Sequence, residues 1–118
     1  MQQPDIFYYR GKRVHMVGIG GSSMSGLAEM LLREGFTVQG TDRSDSQALA
    51  RLRELGIEAR AGHHPEMVDA CQLLIYSAAI PPEDPERQRA FSLGLPQMER
   101  AVLLGQLMAG YEQQICVA

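Results

Sequence analysis

The chain has 118 residues, 45% hydrophobic and 21% charged, and eleven Lys and Arg against fourteen Asp and Glu leave a formal net charge of −3. This length and composition suit one soluble globular domain, and with no basic block the chain lacks a surface that tracks nucleic-acid phosphates. Its apolar runs fall short of the ~20 residues a membrane helix needs, no basic start followed by an apolar run marks a secretion signal, and the two cysteines, Cys71 and Cys116, lack metal-ligand spacing and read as buried thiols in a reducing cytoplasm.

Val14-His15-Met16-Val17-Gly18-Ile19 follows a charged entry and reads as a buried strand. Met24, Leu27, Ala28, Leu31 and Leu32 then recur at i, i+3, i+4, i+7 and i+8, the apolar stripe of an amphipathic helix, which Gly35 is placed to stop. Residues 36–41 form a second strand ending at Asp42. Ser44 or Asp45 caps a second helix with Leu49, Leu52 and Leu55 inward and Gly56 as its stop. A weaker third strand spans 57–61, a short helix 65–70, and a fourth strand 73–76. Asp84 followed by Pro85 is an N-cap with a first-turn proline, opening a helix that runs to Gly94. A short edge strand at 95–98 and a helix at 99–109 complete the set; that helix has Val102, Leu103, Leu107 and Met108 as apolar positions and Gly110 as its close. Strands alternating with helices call for parallel pairing and right-handed crossovers. The expected fold class is therefore α/β, a Rossmann-like doubly wound parallel sheet of about five strands with helices on both faces.

In such sheets ligands bind beyond the C-terminal strand ends, where strand order reverses, which singles out residues 18–24, 42–44, 62–64 and 77–81. Gly18-Ile19-Gly20-Gly21-Ser22-Ser23-Met24 joins strand to helix. Small residues there let the backbone turn sharply and approach a pyrophosphate, whose charge rests on N–H groups at a helix start. Gly18 and Gly20 fill the first two positions of the dinucleotide fingerprint, and Ser23 stands at the third. A plain tight turn is the alternative, but three glycines and two serines in six residues exceed what a turn requires. Asp42 suits a ribose hydroxyl or a helix cap equally well by spacing; Arg43 beside it is an anion partner or a solvated side chain. His63 and His64 are adjacent, so their rings diverge, and without a nearby Cys or an i, i+4 His pair they make a poor zinc site. Spacing alone favours a surface turn for them. Ser77-Ala78-Ala79-Ile80-Pro81-Pro82 lets a ligand lie against the strand ends, or merely leads into the Asp84 cap. No nucleophile elbow, Ser-His-Asp set or paired carboxylates assemble from these loops, and no Gly-Lys-Ser/Thr run offers a P-loop. What remains is a nucleotide-binding surface without a catalytic constellation.

The stretch from His15 to Glu29 resembles the opening of the Mur ligases of peptidoglycan synthesis, the UDP-N-acetylmuramate–L-alanine ligases in particular. Gly40-Thr41-Asp42, Gly62-His63 and Ser77-Ala78-Ala79-Ile80-Pro81 follow in the family's order, and Gln114-Ile115-Cys116-Val117-Ala118 resembles the strand leading into the family's ATP-binding loop. The resemblance covers the chain from Lys12 onward. It departs at Ser23, where the family commonly has Gly, at Ala78, where it commonly has Ser, and in length, since family members are three-domain enzymes of several hundred residues. The resemblance implies that residues 1–112 are a UDP-sugar-binding domain and that 113–118 begin the ATP-binding domain. The parent reaction it implies has ATP phosphorylate the carboxylate of UDP-N-acetylmuramate, after which the amine of L-alanine attacks the acyl phosphate. The fragment itself would catalyse nothing and carry no cofactor or metal, ATP and Mg2+ being met by the parent enzyme. Its partners would be UDP-N-acetylmuramate and the central and C-terminal domains of the same parent chain, in the cytoplasm, with no nucleic acid and no membrane. Carried over by position, Gly18, Gly20, Gly21, Ser22, Ser23 and Met24 would cradle the diphosphate, and Asp42, flanked by Arg43 and Ser44, would take the ribose or uracil edge. His63 would sit by the uridine, and Ser77, Ala78, Ala79 and Ile80 would form the opposite wall. An NAD-binding domain of an oxidoreductase and a UDP-sugar-sensing domain are the competing expectations. The apolar tail at 115–118 is expected to be disordered or to add to a sheet edge.

Overall fold

The computed structural model describes residues 4–117, and of residues 111–117 the backbone course alone. Five strands, β1 (Arg13–Val17), β2 (Thr37–Asp42), β3 (Glu58–Ala61), β4 (Leu73–Tyr76) and β5 (Gln97–Glu99), pair in the order β3-β2-β1-β4-β5. Every pairing is parallel, as the alternation of strands and helices requires. Four α-helices, α1 (Ser22–Arg33), α2 (Gln47–Glu54), α3 (Pro85–Leu93) and α4 (Arg100–Val117), cover the sheet together with 3₁₀ turns at Ile6–Tyr9 and Pro65–Ala70. The chain builds outward from β1 through β2 to β3, then returns to place β4 on the other side of β1. The reversal therefore lies between β1 and β4. None of the helices in the described residues is long and apolar enough to cross a membrane.

The two faces of the sheet are packed unequally, and the period-2 alternation of strand side chains sets which residue meets which face. Val14 and Met16 of β1, Val38 of β2, and Leu73 and Ile75 of β4 join the main core with Met24, Leu27 and Leu31 of α1, Leu49 and Leu52 of α2, and Leu103 and Leu107 of α4. On the other face Val17 and Leu74 meet Val68, Cys71 and Ala90 in a smaller apolar cluster beneath the turn at Pro65–Ala70 and α3. His15, Gln39, Thr41 and Glu86 are also buried.

Gly40, inside a central strand, answers to packing. A Cβ there would collide with the Met16 carbonyl oxygen and lie 2.8 Å from Ile19 Cδ1. The loop that follows β1 thus folds directly onto β2.

The sequence-based expectations differ from the structure in several places. Strand β1 ends at Val17, because Gly18 turns the chain with φ +83°. Helix α2 is capped by Ser46, whose hydroxyl accepts from the Leu49 N–H, while the Asp45 carboxylate accepts from the Ser46 N–H and from Arg53. Leu55 is the C-cap of α2, beyond its last inward turn, and is exposed. Met108 is exposed too, since Leu103 and Leu107, four residues apart, set the inward line of α4 and the next residue rotates off it. Gly110 does not close α4. The helix continues through Val117 where a strand was expected, and Ala118 lies outside the described residues. A strand there would need a neighbour for its N–H and C=O groups, whereas a helix satisfies its own.

Candidate functional site

A cleft of about 680 Å³ opens at the C-terminal ends of the strands, astride the reversal between β1 and β4. Val17 and Gly18 line it after β1, residues 41–44 at the end of β2, Gly62 and His63 after β3, and Ser77, Ala79, Ile80 and Pro81 after β4; Glu83, Asp84 and Pro85 close it at the start of α3.

The loop from β1 to α1 is held to β2 by backbone bonds. The Gly18 and Ile19 N–H groups donate to the Thr41 carbonyl at 2.8 and 2.9 Å, and the Gly20 N–H donates to Asp42 Oδ2 at 2.8 Å. A Cβ on Gly20 would lie 2.8 Å from that same oxygen, so glycine is what lets Asp42 brace the loop. The N-cap of α1 is Gly21, which brings no side-chain acceptor. The first-turn N–H groups of an α-helix have no partner within the helix. Left without a side-chain cap and carrying the positive end of the helix dipole, such N–H groups favour negative charge beside them.

Of the residues singled out from the sequence, Gly18, Gly21, Asp42, Arg43, Ser44, His63, Ser77, Ala79 and Ile80 line the cleft. The others are placed differently. Gly20 lies against the Asp42 carboxylate. Ser22 and Ser23 open α1 as exposed residues, and the Ser23 hydroxyl accepts from Arg100 Nη1 at 3.1 Å. The Met24 side chain is buried in the main core, so this residue presents only its backbone N–H to the loop. Ala78 is exposed and off the cleft wall.

A buried polar chain behind the cleft went unseen in the sequence. Arg13 donates to Gln39 Oε1, which orients the Gln39 amide so that Nε2 donates both to the Met67 carbonyl and to His15 Nδ1. His15 therefore carries its proton on Nε2 and donates it to Glu86 Oε1 at 2.5 Å. Thr41 Oγ1 donates to the same oxygen at 2.6 Å, and the His64 N–H to Glu86 Oε2 at 3.1 Å. Burial pushes the Glu86 carboxyl up, but the bonds from His15, Thr41 and His64 outweigh it and hold the group below the usual carboxylate range. Glu86 thereby ties β1, β2 and the turn after β3 to α3. The signal was absent because its partners His15 and Thr41 stand 71 and 45 residues away along the chain.

The two histidines part company. His64 contacts the Ala61 carbonyl at 2.9 Å through Nε2 and Glu66 at 3.0 Å through Nδ1, and these acceptors, the carbonyl foremost, raise its pKa. It braces the turn. His63 faces the cleft, its side chain 63% exposed, with Nδ1 3.7 Å from Asp84 Oδ2 and 3.8 Å from Glu86 Oε2. Asp84 caps α3 as its sequence position foretold, Oδ1 accepting from the Glu86 and Arg87 N–H groups. Cys71 is buried, and its burial pushes the thiol up to about 11; the Cys116 side chain lies outside the described residues.

Residues 13–112 match the family described as Mur ligase family, catalytic domain. The UDP-N-acetylmuramate–L-alanine ligase of Acetivibrio thermocellus is 45% identical over 107 residues, 91% of this chain and 23% of that protein. Among solved structures, the UDP-N-acetylmuramate–alanine ligase of Thermotoga maritima superposes with a TM-score of 0.76 at 28% identity, covering 86% of this chain and 23% of its own. A UDP-N-acetylmuramate:L-alanyl-gamma-D-glutamyl-meso-diaminopimelate ligase from Neisseria meningitides superposes with a TM-score of 0.69 at 27% identity, covering 75% of this chain and 28% of its own. The chain thus spans about a quarter of the length of these proteins.

Proposed function

The chain belongs to the Mur ligase family, and from that premise we propose that its cleft holds the UDP end of UDP-N-acetylmuramate for an ATP-dependent ligase that joins L-alanine to the muramyl carboxylate. One observation carries the proposal: α1 starts without a side-chain cap, behind Gly18 and Gly21, at the point where strand order reverses. The diphosphate would rest on those N–H groups, with Ser22 and Ser23 offering hydroxyls from the first turn. Asp42 spends Oδ2 on the Gly20 N–H and keeps Oδ1 to accept a ribose hydroxyl. His63 would flank the uridine from the turn after β3, and Ser77, Ala79 and Ile80 would form the facing wall. Ala78, exposed beside them, would take part only through movement of its loop.

This arrangement would contribute position. By fixing the nucleotide it would hold the muramyl carboxylate where the parent enzyme phosphorylates it, and such orientation can remove several kcal/mol from a barrier. ATP and Mg2+ would be met elsewhere in the parent, because this sequence has no Gly-Lys-Ser/Thr run to fit ATP phosphates. The central and C-terminal domains of that parent would be the chain's partners, and the chain alone would form no amide.

Calorimetric titration of the chain with UDP-N-acetylmuramate, with NAD as comparator, tests the proposal. Saturable binding of the UDP-sugar and none of NAD is expected. Binding of NAD alone would overturn it in favour of a dinucleotide domain.

A further inference from the structure

The cleft is poorly charged for an anionic ligand. Among the described residues that line it, Arg43 is the one Lys or Arg, against Asp42, Glu83 and Asp84, and Glu86 is buried directly behind. A helix N-terminus, worth about half a charge, offsets little of this. The geometry points to a site for a divalent transition-metal ion of the zinc class, formed by His63 Nδ1, Asp84 Oδ2 and Glu86 Oε2. These three atoms lie within 4.8 Å of one another.

The distances separate a metal site from a hydrogen-bonded cluster. His63 Nδ1 stands 3.7 and 3.8 Å from the two carboxylate oxygens, too far to donate to either. Ligand atoms around a tetrahedral ion with bonds of ~2.1 Å lie about 3.4 Å apart. The two His63 distances exceed this by a few tenths of an ångström, which the exposed His63 ring can close by moving, and the two carboxylate oxygens lie within 4.8 Å of each other.

An acceptor count points the same way. Asp84 Oδ1 is taken by the N–H groups of Glu86 and Arg87, and Glu86 Oε1 by His15 and Thr41. Among the described residues, Glu86 Oε2 accepts only the His64 N–H. Asp84 Oδ2 meets no hydrogen-bond donor among the described residues, although Asp84 is only 8% exposed and lines the cleft. What these two carboxylates have to spare is directed at His63. Fixed hydrogen bonds behind a ligating carboxylate, such as those from His15 and Thr41, hold it in place. An imidazole with two carboxylates suits zinc or manganese better than magnesium, which prefers an all-oxygen shell. Three protein ligands would leave the ion a position open to the cleft. That a diphosphate oxygen fills it rests on the function proposed above.

The test is calorimetric titration of the tag-free chain with Zn2+, with Mn2+ and Mg2+ for comparison. It is run on the wild type, His63→Ala and Asp84→Asn, with circular dichroism to confirm the fold. Asparagine keeps the Oδ1 cap of α3. One zinc per chain is expected, tighter than manganese, with affinity lowered at least ~10-fold in each variant. No saturable zinc binding, or affinity unchanged in both variants, overturns the site. A chain that takes no zinc yet binds UDP-N-acetylmuramate in EDTA overturns the metal site and leaves the nucleotide proposal standing. Zinc binding lost in both variants of a chain that takes no UDP-sugar supports the metal site and overturns the nucleotide proposal.

Discussion

Gly40 and Gly20 are glycines because neighbours occupy the space a side chain would need, and the two neighbours differ in how far they can give. At Gly40 the obstacle is the Met16 carbonyl on the paired strand. Gly40→Ala must push β1 from β2 or displace Ile19, and it is expected to destabilise the fold by about 1–3 kcal/mol, read from urea midpoints. At Gly20 the obstacle is the end of the Asp42 side chain, which can rotate away, so the expected damage is to the loop rather than to the fold. Asp42→Ala, which removes the brace on the Gly20 N–H, is expected to weaken UDP-N-acetylmuramate binding about 10-fold, the scale of one charged hydrogen bond. Unchanged affinity would mean that neither this brace nor a ribose contact from Asp42 contributes to binding. At this scale the sequence showed which residues are small and polar at the strand ends, but not which backbone each one touches.

Among the elements, α1 was legible because five apolar residues repeat on one helical face, and four of them, Met24, Leu27, Ala28 and Leu31, are buried where the stripe placed them. The start of α3 was legible from the Asp84-Pro85 pair, whose roles are local. The start of α2 was not. Ser44, Asp45 and Ser46 all qualify as caps, and only the path of the chain out of β2 decides among them. Ser46→Ala is therefore expected to cost about 1 kcal/mol, while Ser44→Ala leaves the urea midpoint unchanged and is read instead in ligand affinity, since Ser44 lines the cleft. The Glu86 chain was illegible for the opposite reason. Its members come from β1, β2, the turn after β3 and α3, and nothing local links them before the sheet forms.

For the whole molecule, the fold class and the position of the cleft followed from the alternation of strands and helices, because parallel pairing and the reversal of strand order are consequences of connectivity. The polarity of the second face did not follow, and it shapes the pH dependence. The Glu86 carboxyl is held below its ordinary value of 4.5, so its contribution to stability is present above that value and lost as pH falls through its lowered pKa. His64 is raised above 6.5, so its smaller contribution is present below 6.5 and lost as pH rises through its raised pKa. Stability from these two groups is therefore fullest between roughly pH 4.5 and 6.5. Thr41→Val removes one of the bonds that lower Glu86. Urea midpoints measured across the acid range should show a smaller acid loss of stability that is complete at higher pH than in the wild type, its onset being set by the unchanged unfolded carboxyl; coincident acid limbs would mean that Glu86 does not control this transition.

Under the proposed function the strand-end cleft, and no other surface, receives the nucleotide. Amide chemical shifts of the isotopically labelled chain, followed while UDP-N-acetylmuramate is added, test it most directly. The largest shifts are expected at Gly18, Gly21, Ser22, Ser23, Asp42 and His63, with Ser77 and Ile80 following and the helix faces away from the cleft silent. Saturable shifts confined to other surfaces, such as the exposed Phe7 and Tyr8 near the N-terminus, would contradict the account.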